Sequence, residues 1–594
     1  MPTELKSKKD LVFKELAGKK LMLCDVIYQR GNKETNWSDH LNFVYKDLVT
    51  KQKGIYTIKD PTITIYEVKE EYRTFKKPRH YMEKEKLIPH TVLYRDVLKE
   101  IAKMAGPEYE KYYRERTRNN ERRQLYKWPY CLGGDIPIET YYRVIWEQEL
   151  ANDERRWVDC VFLDIEVNQK GWDGPIPRRG ECPVDMLSLC DPVKKRVSTF
   201  YLKTKDNPQI APFIANRQAE LQQKLHERFD EAFPGFEYVQ YAFDDEAEML
   251  KQTFRLVNVL KRDILFVWNM DFDIPYIIGR CEKLGINPAN LFCHSDFPTS
   301  TMYYHEDNNN FDWDTKRNYF DCSSYTHYLD QPAVYAGLRR SQTTLRSVSL
   351  DAIAKKEEVG EGKIQFQQTG GNFTMFSYND FMLYDIYNVN DTLLQSGIDE
   401  KCNDSYNLYN SCLVNYCNYK DGLKQTVSLR AFFYREFLIN DNLIIGHNVN
   451  FDNGRTKDQT MDESMEDAMN EDEISKYQES FEGAINGDPE LNGHEGIILF
   501  GRKSKYLFGD SIDFDFSSMY PNAICSFNIF AATMIGKLFI SDGDKLKTYD
   551  EDAGKEFVED LIAKNTIFLG TKWFGLPSYE DISTEVYNRM KVAA

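Results

Sequence analysis

The sequence predicts an α/β multidomain protein, and three observations carry that expectation. The chain has 594 residues, about four domains at roughly 150 residues each. Hydrophobic residues make up 42% and aromatics 14%, enough to fill large cores and to exclude global disorder. Between residues 157 and 290, strand-like apolar runs alternate with amphipathic stretches, which sets helices against a central sheet.

Composition narrows the class further. Mean hydropathy is -0.59 and no run of ~18 apolar residues occurs, so no helix is expected to span a membrane. The opening MPTELKSKKD lacks the apolar core of a signal peptide. The 12 cysteines include no Cys-x-x-Cys pair, so neither a disulfide framework nor a tetrathiolate zinc site is indicated. Cys412 and Cys417, the closest pair, read as buried apolar residues. A reduced, cytoplasmic protein is the simplest expectation. Net charge is -18, but it is unevenly spread. Residues 1–130 hold 29 Lys/Arg against 19 Asp/Glu, and residues 452–490 hold 13 acids against 3 bases. Such asymmetry is compatible with a nucleic-acid partner despite the negative total, because metal-binding carboxylates lower the total without repelling the substrate once metals bind.

Residues 1–150 read as a basic N-terminal domain, with a strand at Thr62–Val68 and helical spacing from Tyr94 to Met104. Lys111 to Trp128 interleaves basic and aromatic residues, so Arg114, Arg116, Arg122 and Arg123 are candidate DNA contacts; a solvated helix face is the alternative. Residues 151–399 form the next domain. Its strands are expected at Val158–Leu163, Ser198–Leu202 and Asp263–Trp268, and its helices at Pro212–Phe233 and Glu246–Leu260. A hairpin or loop is expected over His305–Asp314, and a long helix from Tyr378 to about Cys402. Residues 400–453 connect back to the N-terminal domain, which they complete at about 400–440. Residues 454–490 are an acidic linker or insertion, and 491–594 a last, strand-rich region.

Four elements carry chemistry. In Phe162-Leu-Asp164-Ile-Glu166-Val167, strand alternation puts both acids on one face. Adjacent carboxylates repel unless a cation lies between them, and all-oxygen ligands suit Mg2+; an edge strand with solvated acids is the alternative. In Trp268-Asn269-Met-Asp-Phe272-Asp273-Ile-Pro275-Tyr276, a strand ends at Trp268, a turn follows, and a helix starts at Ile274 with Pro in its first turn. Asp273 therefore sits at a strand-to-helix junction, where helix capping is the commoner use of Asp. In Tyr387-Asn-Val-Asn-Asp391, the i, i+4 spacing points phenol and carboxylate the same way; on its own this pair favours a surface helix. The fourth is Asp513-Phe-Asp515-Phe516-Ser517-Ser518-Met519-Tyr520-Pro521.

In order, the first three resemble the exonuclease motifs of proofreading 3′–5′ exonucleases, the four-acid class with a tyrosine. Glu166 and Asp273 are 107 residues apart, Asp273 and Asp391 118, which suits such a domain. The resemblance implies a ribonuclease-H-like fold, two metals held by Asp164, Glu166, Asp273 and Asp391, and Tyr387 orienting the attacking water. Cys182-Pro-Val-Asp185 matches a Pro-Val/Ile-Asp element of phage relatives. One departure is that two residues, where the family has three, separate Asn269 from Phe272-Asp273; the role of Asn269 stays open.

The fourth element resembles motif A of family B DNA polymerases. By that resemblance Asp515 and the Phe516 carbonyl bind catalytic metal, Ser517, Ser518 and Met519 border the incoming nucleotide, and Tyr520 is the gate against a ribose 2′-OH. Gly496 matches one position of a DNA-contacting element. The chain looks most like replicative polymerases of tailed, T-even-related bacteriophages, so 491–594 would be the first part of a palm ending near the fingers. The family's motifs B and C do not occur, and Tyr520 lies 74 residues from the last residue. The expectation is therefore a split or truncated polymerase. Its partners would be primer-template DNA, deoxynucleotides and a second chain carrying motifs B and C, with a sliding clamp reached through that chain. Its cofactor would be Mg2+, or Mn2+ as a substitute, and its place the host cytoplasm. A free-standing 3′–5′ exonuclease with a structural palm remnant, and a non-enzymatic nucleic-acid-binding subunit, are the alternatives.

Overall fold

The computed structural model describes residues 11–73, 84–116, 122–128, 130–150, 156–307, 318–339, 345, 347–364 and 373–440, together with 538–541 and 545–548. The chain divides into two compact units, Met1–Phe75 with Glu83–Met469, and Lys76–Met82 with Asn470–Ala594.

In the first unit, β1 (Leu21–Gln29), β2 (His40–Asp47) and β3 (Lys53–Lys59) form an antiparallel meander. A second small sheet pairs β4 (Thr62–Val68) with β5 (Leu87–Leu93) and β6 (Cys131–Leu132). The predicted helix after Tyr94 runs Val97–Ala105, and Ile138–Glu149 is another. Apolar residues of these elements share one core in which Phe43 and Trp146 stack at 5.6 Å. Tyr434, on the helix Gln425–Asn440, is buried in that core and donates to Asp135 Oδ2 at 2.6 Å.

An eight-stranded mixed sheet follows: β7 (Cys160–Val167), β8 (Val184–Asp191), β9 (Arg196–Leu202), β10 (Glu237–Phe243), β11 (Ile264–Val267), β12 (Met302–His305), β13 (Tyr319–Cys322) and β14 (His327–Asp330). Their spatial order is β10-β9-β8-β7-β11-β14-β13-β12. β8 runs antiparallel to β7 and β9, while β11 and β14 run parallel to β7. This arrangement is consistent with an exonuclease domain of the ribonuclease-H-like kind. β12 and β13 pair antiparallel on either side of the hairpin or loop expected over His305–Asp314, and most of that stretch lies outside the described residues.

Alternation along β7 explains both cores. Val161, Leu163, Ile165 and Val167 point into one, covered by the helices Glu246–Leu260 and Met270–Lys283. Cys160 and Phe162 point into the other, covered by the helices Gln218–Phe229, Leu350–Lys356 and Phe381–Cys402. Asp164 and Glu166 continue that second face, so the strand delivers both acids beneath the helix Phe381–Cys402.

Three expected elements differ from those observed. Pro212–Phe233 is two helices, Ile210–Asn216 and Gln218–Phe229, because Arg217 leaves helical geometry at φ -119°, ψ 2° and lets each piece bury its own apolar face. The helix expected from Ile274 begins four residues earlier, at Met270, and Pro275 lies inside it. Proline there removes the one N–H that would reach the Asp271 carbonyl, and burial of Met270, Ile274, Tyr276 and Ile277 outweighs that loss. Finally, the helix expected from Tyr378 starts at Phe381, because Asp380 at φ -148°, ψ 89° separates it from the short helix Phe376–Asn379, and with 16 of its 22 residues buried it is not the surface helix that the Tyr387–Asp391 pair alone would favour.

Candidate active site

β7 contributes Asp164 and Glu166, and the helix Phe381–Cys402 contributes Asp391 one turn after Tyr387. One carboxylate oxygen from each of these three acids lies within 4.8 Å of the other two. Among the described residues this is the one group of three or more potential ligands so placed. Glu166, Tyr387 and Asp391 are 6%, 4% and 2% exposed, so the carboxylates face one another in a medium that screens poorly. Asp273, 4% exposed, enters from the first turn of Met270–Lys283, where its N–H donates to the Asn269 carbonyl at 2.9 Å. Its carboxyl feels the charge of Asp164. It does not cap the helix; Asn269 holds the cap position, without a side-chain cap bond.

Burial pushes the carboxyls of Asp164, Glu166, Asp273 and Asp391 upward. Mutual repulsion adds to this: Asp391 raises Asp164, and Asp164 raises both Glu166 and Asp273. The opposing charge is Lys363, whose Nζ lies 2.6 Å from Asp391 Oδ2 and 4.8 Å from the Tyr387 ring centre. Its placement is built locally. Gly362 takes φ +82°, the Lys363 N–H donates to Asp351 Oδ1 at 2.9 Å, and Asn390 Nδ2 donates to the Gly362 carbonyl at 3.2 Å. The Tyr387 hydroxyl is pushed up by burial and by the charges of Asp391 and Glu166.

Sequence reasoning missed Lys363, because one lysine in a loop resembles any other. It also left Asn388 without a role, although the residue lies between Tyr387 and Asp391; its Nδ2 donates to Asp164 Oδ2 at 2.7 Å. Asp185, from the Pro-Val-Asp element, is buried beside the site. It accepts from the Tyr384 hydroxyl at 2.8 Å, and burial pushes its carboxyl up to about 7.

The four candidate arginines are not brought to this cluster. Arg114 pairs with Glu110 at 2.7 Å on the helix Pro107–Glu115. The Arg116 guanidinium lies 5.5 Å from the Tyr112 ring. Arg122 lies 4.5 Å from the Tyr113 ring and donates to the Arg116 carbonyl at 2.6 Å, and Arg123 opens the short 3-10 turn Arg123–Lys127. Gly496, Asp515, Phe516, Ser517, Ser518, Met519 and Tyr520 lie outside the described residues, as does the acidic stretch 454–490.

The acids fit a hard divalent cation. Every donor is a carboxylate oxygen, and Asp391 Oδ1 is buried without a hydrogen-bond partner. A sheet that delivers two acids from one strand and gathers more from flanking helices suits metal-assisted hydrolysis. Residues 141–353 match the family model described as DNA polymerase family B, exonuclease domain. The chain thus contains a domain of the family B polymerase 3′–5′ exonuclease type. The match includes Asp164, Glu166 and Asp273 and ends before Lys363, Tyr387 and Asp391. No curated protein matches the chain. No helix among the described residues is long and apolar enough to cross a membrane.

Proposed function

We propose that the chain is the proofreading exonuclease and first palm portion of a family B DNA polymerase that serves viral DNA replication in the host cytoplasm. The observation that carries the nuclease part is the buried cluster of Asp164, Glu166 and Asp391 with Asp273 beside it. These four would hold two divalent ions, Mg2+ or Mn2+. Bound there, the ions supply Lewis acidity and an activated water for phosphodiester hydrolysis. The chain's own residues do the rest. Lys363 neutralises part of the acid cluster and holds Asp391 by its Oδ2. The Tyr387 hydroxyl, one helical turn from Asp391, would orient the water. The low-dielectric walls strengthen each of these interactions.

The polymerase part rests on the sequence pattern around Asp515. In this reading Asp515 and the Phe516 carbonyl bind metal, Ser517, Ser518 and Met519 line the triphosphate, and Tyr520 excludes ribonucleotides. Two-metal phosphoryl transfer needs a further carboxylate, which motifs B and C would bring, from a second chain in the split reading or from the rest of the same polypeptide in the truncated one, along with contact to a sliding clamp. Arg114, Arg116, Arg122, Arg123 and Gly496 are the proposed DNA contacts. A nuclease alone has no use for the Tyr520 gate, which disfavours a free-standing exonuclease.

The test uses a 5′-labelled single strand and a primer-template with Mg2+. The chain should shorten the single strand from its 3′ end, and Asp164→Ala should not. In the Asp164→Ala background the chain alone should not extend the primer. A partner carrying motifs B and C should restore extension, and Asp515→Ala should remove it again. Undiminished degradation by Asp164→Ala would overturn the nuclease assignment. Robust extension by the chain alone would overturn the split-polymerase reading.

A further inference from the structure

Asp164, Ser188 and Thr199 form one row across three neighbouring strands. Asp164 is the register partner of Ser188, and Ser188 that of Thr199. The helix Phe381–Cys402 crosses this row with Asn388 above it. Asn388 Nδ2 donates to Asp164 Oδ2 at 2.7 Å, Ser188 Oγ donates to Asn388 Oδ1, and the Ser188 and Thr199 hydroxyls lie 3.3 Å apart. The chemistry of the end group sets the direction of the whole chain. A carboxylate that binds metal is ionised and only accepts, so the Asn388 amide must donate to it and presents its oxygen to Ser188. Ser188 spends its one proton there, and Thr199 must donate to Ser188.

Ser188, Thr199 and Asn388 are each 0% exposed. Burying three polar groups is costly unless each is satisfied, and aliphatic side chains would fill the row without that requirement. The row also reaches a functional carboxylate by one of its two oxygens, Oδ2, which leaves Oδ1 for a metal ion.

We propose that Asn388 is a positioning residue of the nuclease centre, which, backed by Ser188 and Thr199, locks the Asp164 carboxylate in the orientation that offers one oxygen to a metal ion. This rests on the reading of Asp164 as a metal ligand. Residues that orient a ligand typically change metal affinity or activity about 10–100-fold when replaced.

The experiment takes the full chain with Asn388→Leu, Asn388→Ala, Ser188→Ala, Thr199→Val and the Ser188→Ala/Asn388→Ala double variant. It reads calorimetric binding of Mn2+ alone, the Mg2+ concentration giving half-maximal hydrolysis of a single strand, and the melting temperature in chelator. Asn388→Leu and Asn388→Ala should weaken Mn2+ binding and raise the Mg2+ requirement about 10–100-fold, with the rate recovering at saturating metal. Ser188→Ala and Thr199→Val should shift both in the same direction by less. The double variant should match Asn388→Ala, since Ser188 reaches Asp164 only through Asn388. Unchanged Mn2+ affinity in folded Asn388→Leu and Thr199→Val, or a rate that saturating metal does not rescue, would overturn the proposal. Asp164→Ala separates the two ideas: full activity there removes the nuclease reading itself, while an inactive Asp164→Ala beside an unperturbed Asn388→Leu removes only the positioning role.

Discussion

Replacing Asp164 by Asn should make the metal-free protein more stable and the nuclease inactive. Asn keeps the shape of Asp, and its side-chain oxygen can still accept the bond from Asn388 Nδ2. What it removes is a charge that burial and Asp391 oppose, with Lys363 and Asn388 offsetting part of the penalty. Because the folded-state pKa of Asp164 is raised, the folded protein binds more protons than the unfolded chain between about pH 4, the ordinary Asp value, and that raised value. Metal-free stability of the parent therefore falls as pH rises through the window, and the advantage of Asn grows with pH. Each tenfold displacement of the proton equilibrium is worth about 1.4 kcal/mol. After the offset from Lys363, removing one charge should return about 2–3 kcal/mol at pH 7.5. At ~2–4 °C per kcal/mol for a domain of this size, the exonuclease domain should melt about 4–12 °C higher in chelator. With Asp164 holding metal as proposed, its replacement should cost several kcal/mol of transition-state stabilisation, about 1,000-fold or more in rate. The assay pairs thermal scans in chelator, at pH 5 and pH 7.5, with 3′–5′ degradation of a labelled single strand in Mg2+. A variant that melts lower than the parent in chelator, or degrades DNA within tenfold of it, refutes the reasoning.

Other outcomes follow from the same structure. Asp263 is 3% exposed, with Lys46 Nζ at 2.5 Å and Lys53 Nζ at 2.7 Å; Asp263→Asn takes this carboxylate from Lys53 and leaves Lys46 with Asp159 at 3.0 Å, and should destabilise the chain by about 3 kcal/mol in a denaturant titration. Those lysines hold the Asp263 carboxyl down to about 2, so its contribution is fully present above about pH 4 and is lost as pH falls toward 2, which an acid titration of the parent against Asp263→Asn will read. Tyr387→Phe should slow hydrolysis less than Asp164→Ala while leaving Mn2+ affinity unchanged; weakened Mn2+ binding would make the phenol a ligand instead. Replacing Arg114, Arg116, Arg122 and Arg123 with Ala should flatten the log–log salt dependence of DNA binding by about 0.7–0.9 for each phosphate no longer neutralised, and an unchanged slope would make that segment a solvated face.

Local rules made some of this legible in advance. The period-two pattern of β7 already put Asp164 and Glu166 on one face, and i, i+4 spacing already joined Tyr387 to Asp391, because both follow from backbone geometry alone. Taken alone, the Tyr387–Asp391 pair favours a surface helix; the polar residues Asp385, Asn388, Asn390, Thr392 and Gln395 of that helix decide otherwise. They are buried, and what compensates Asn388 and Asn390 comes from other elements: Ser188 on β8 meets Asn388, and the Gly362 carbonyl meets Asn390. Pro275 reads locally as a first-turn residue and so starts the Asp273 helix at Ile274, whereas packing of Met270 and Ile274 extends the helix beyond the preference of proline.

The sequence by itself determined the residue types, their order and their local facing: carboxylates on a strand, at a strand-to-helix junction and on a helix, in the order of an exonuclease domain. Tertiary structure decided which of them meet. It brought Glu166 and Asp391 together across 225 residues of chain, set Lys363 against them, and gave Asp164 a partner in Asn388. The physical reason is that strand and helix periodicity act over a few residues, whereas proximity of distant carboxylates, and the burial that raises their proton affinity, depend on how a sheet and its covering helices pack.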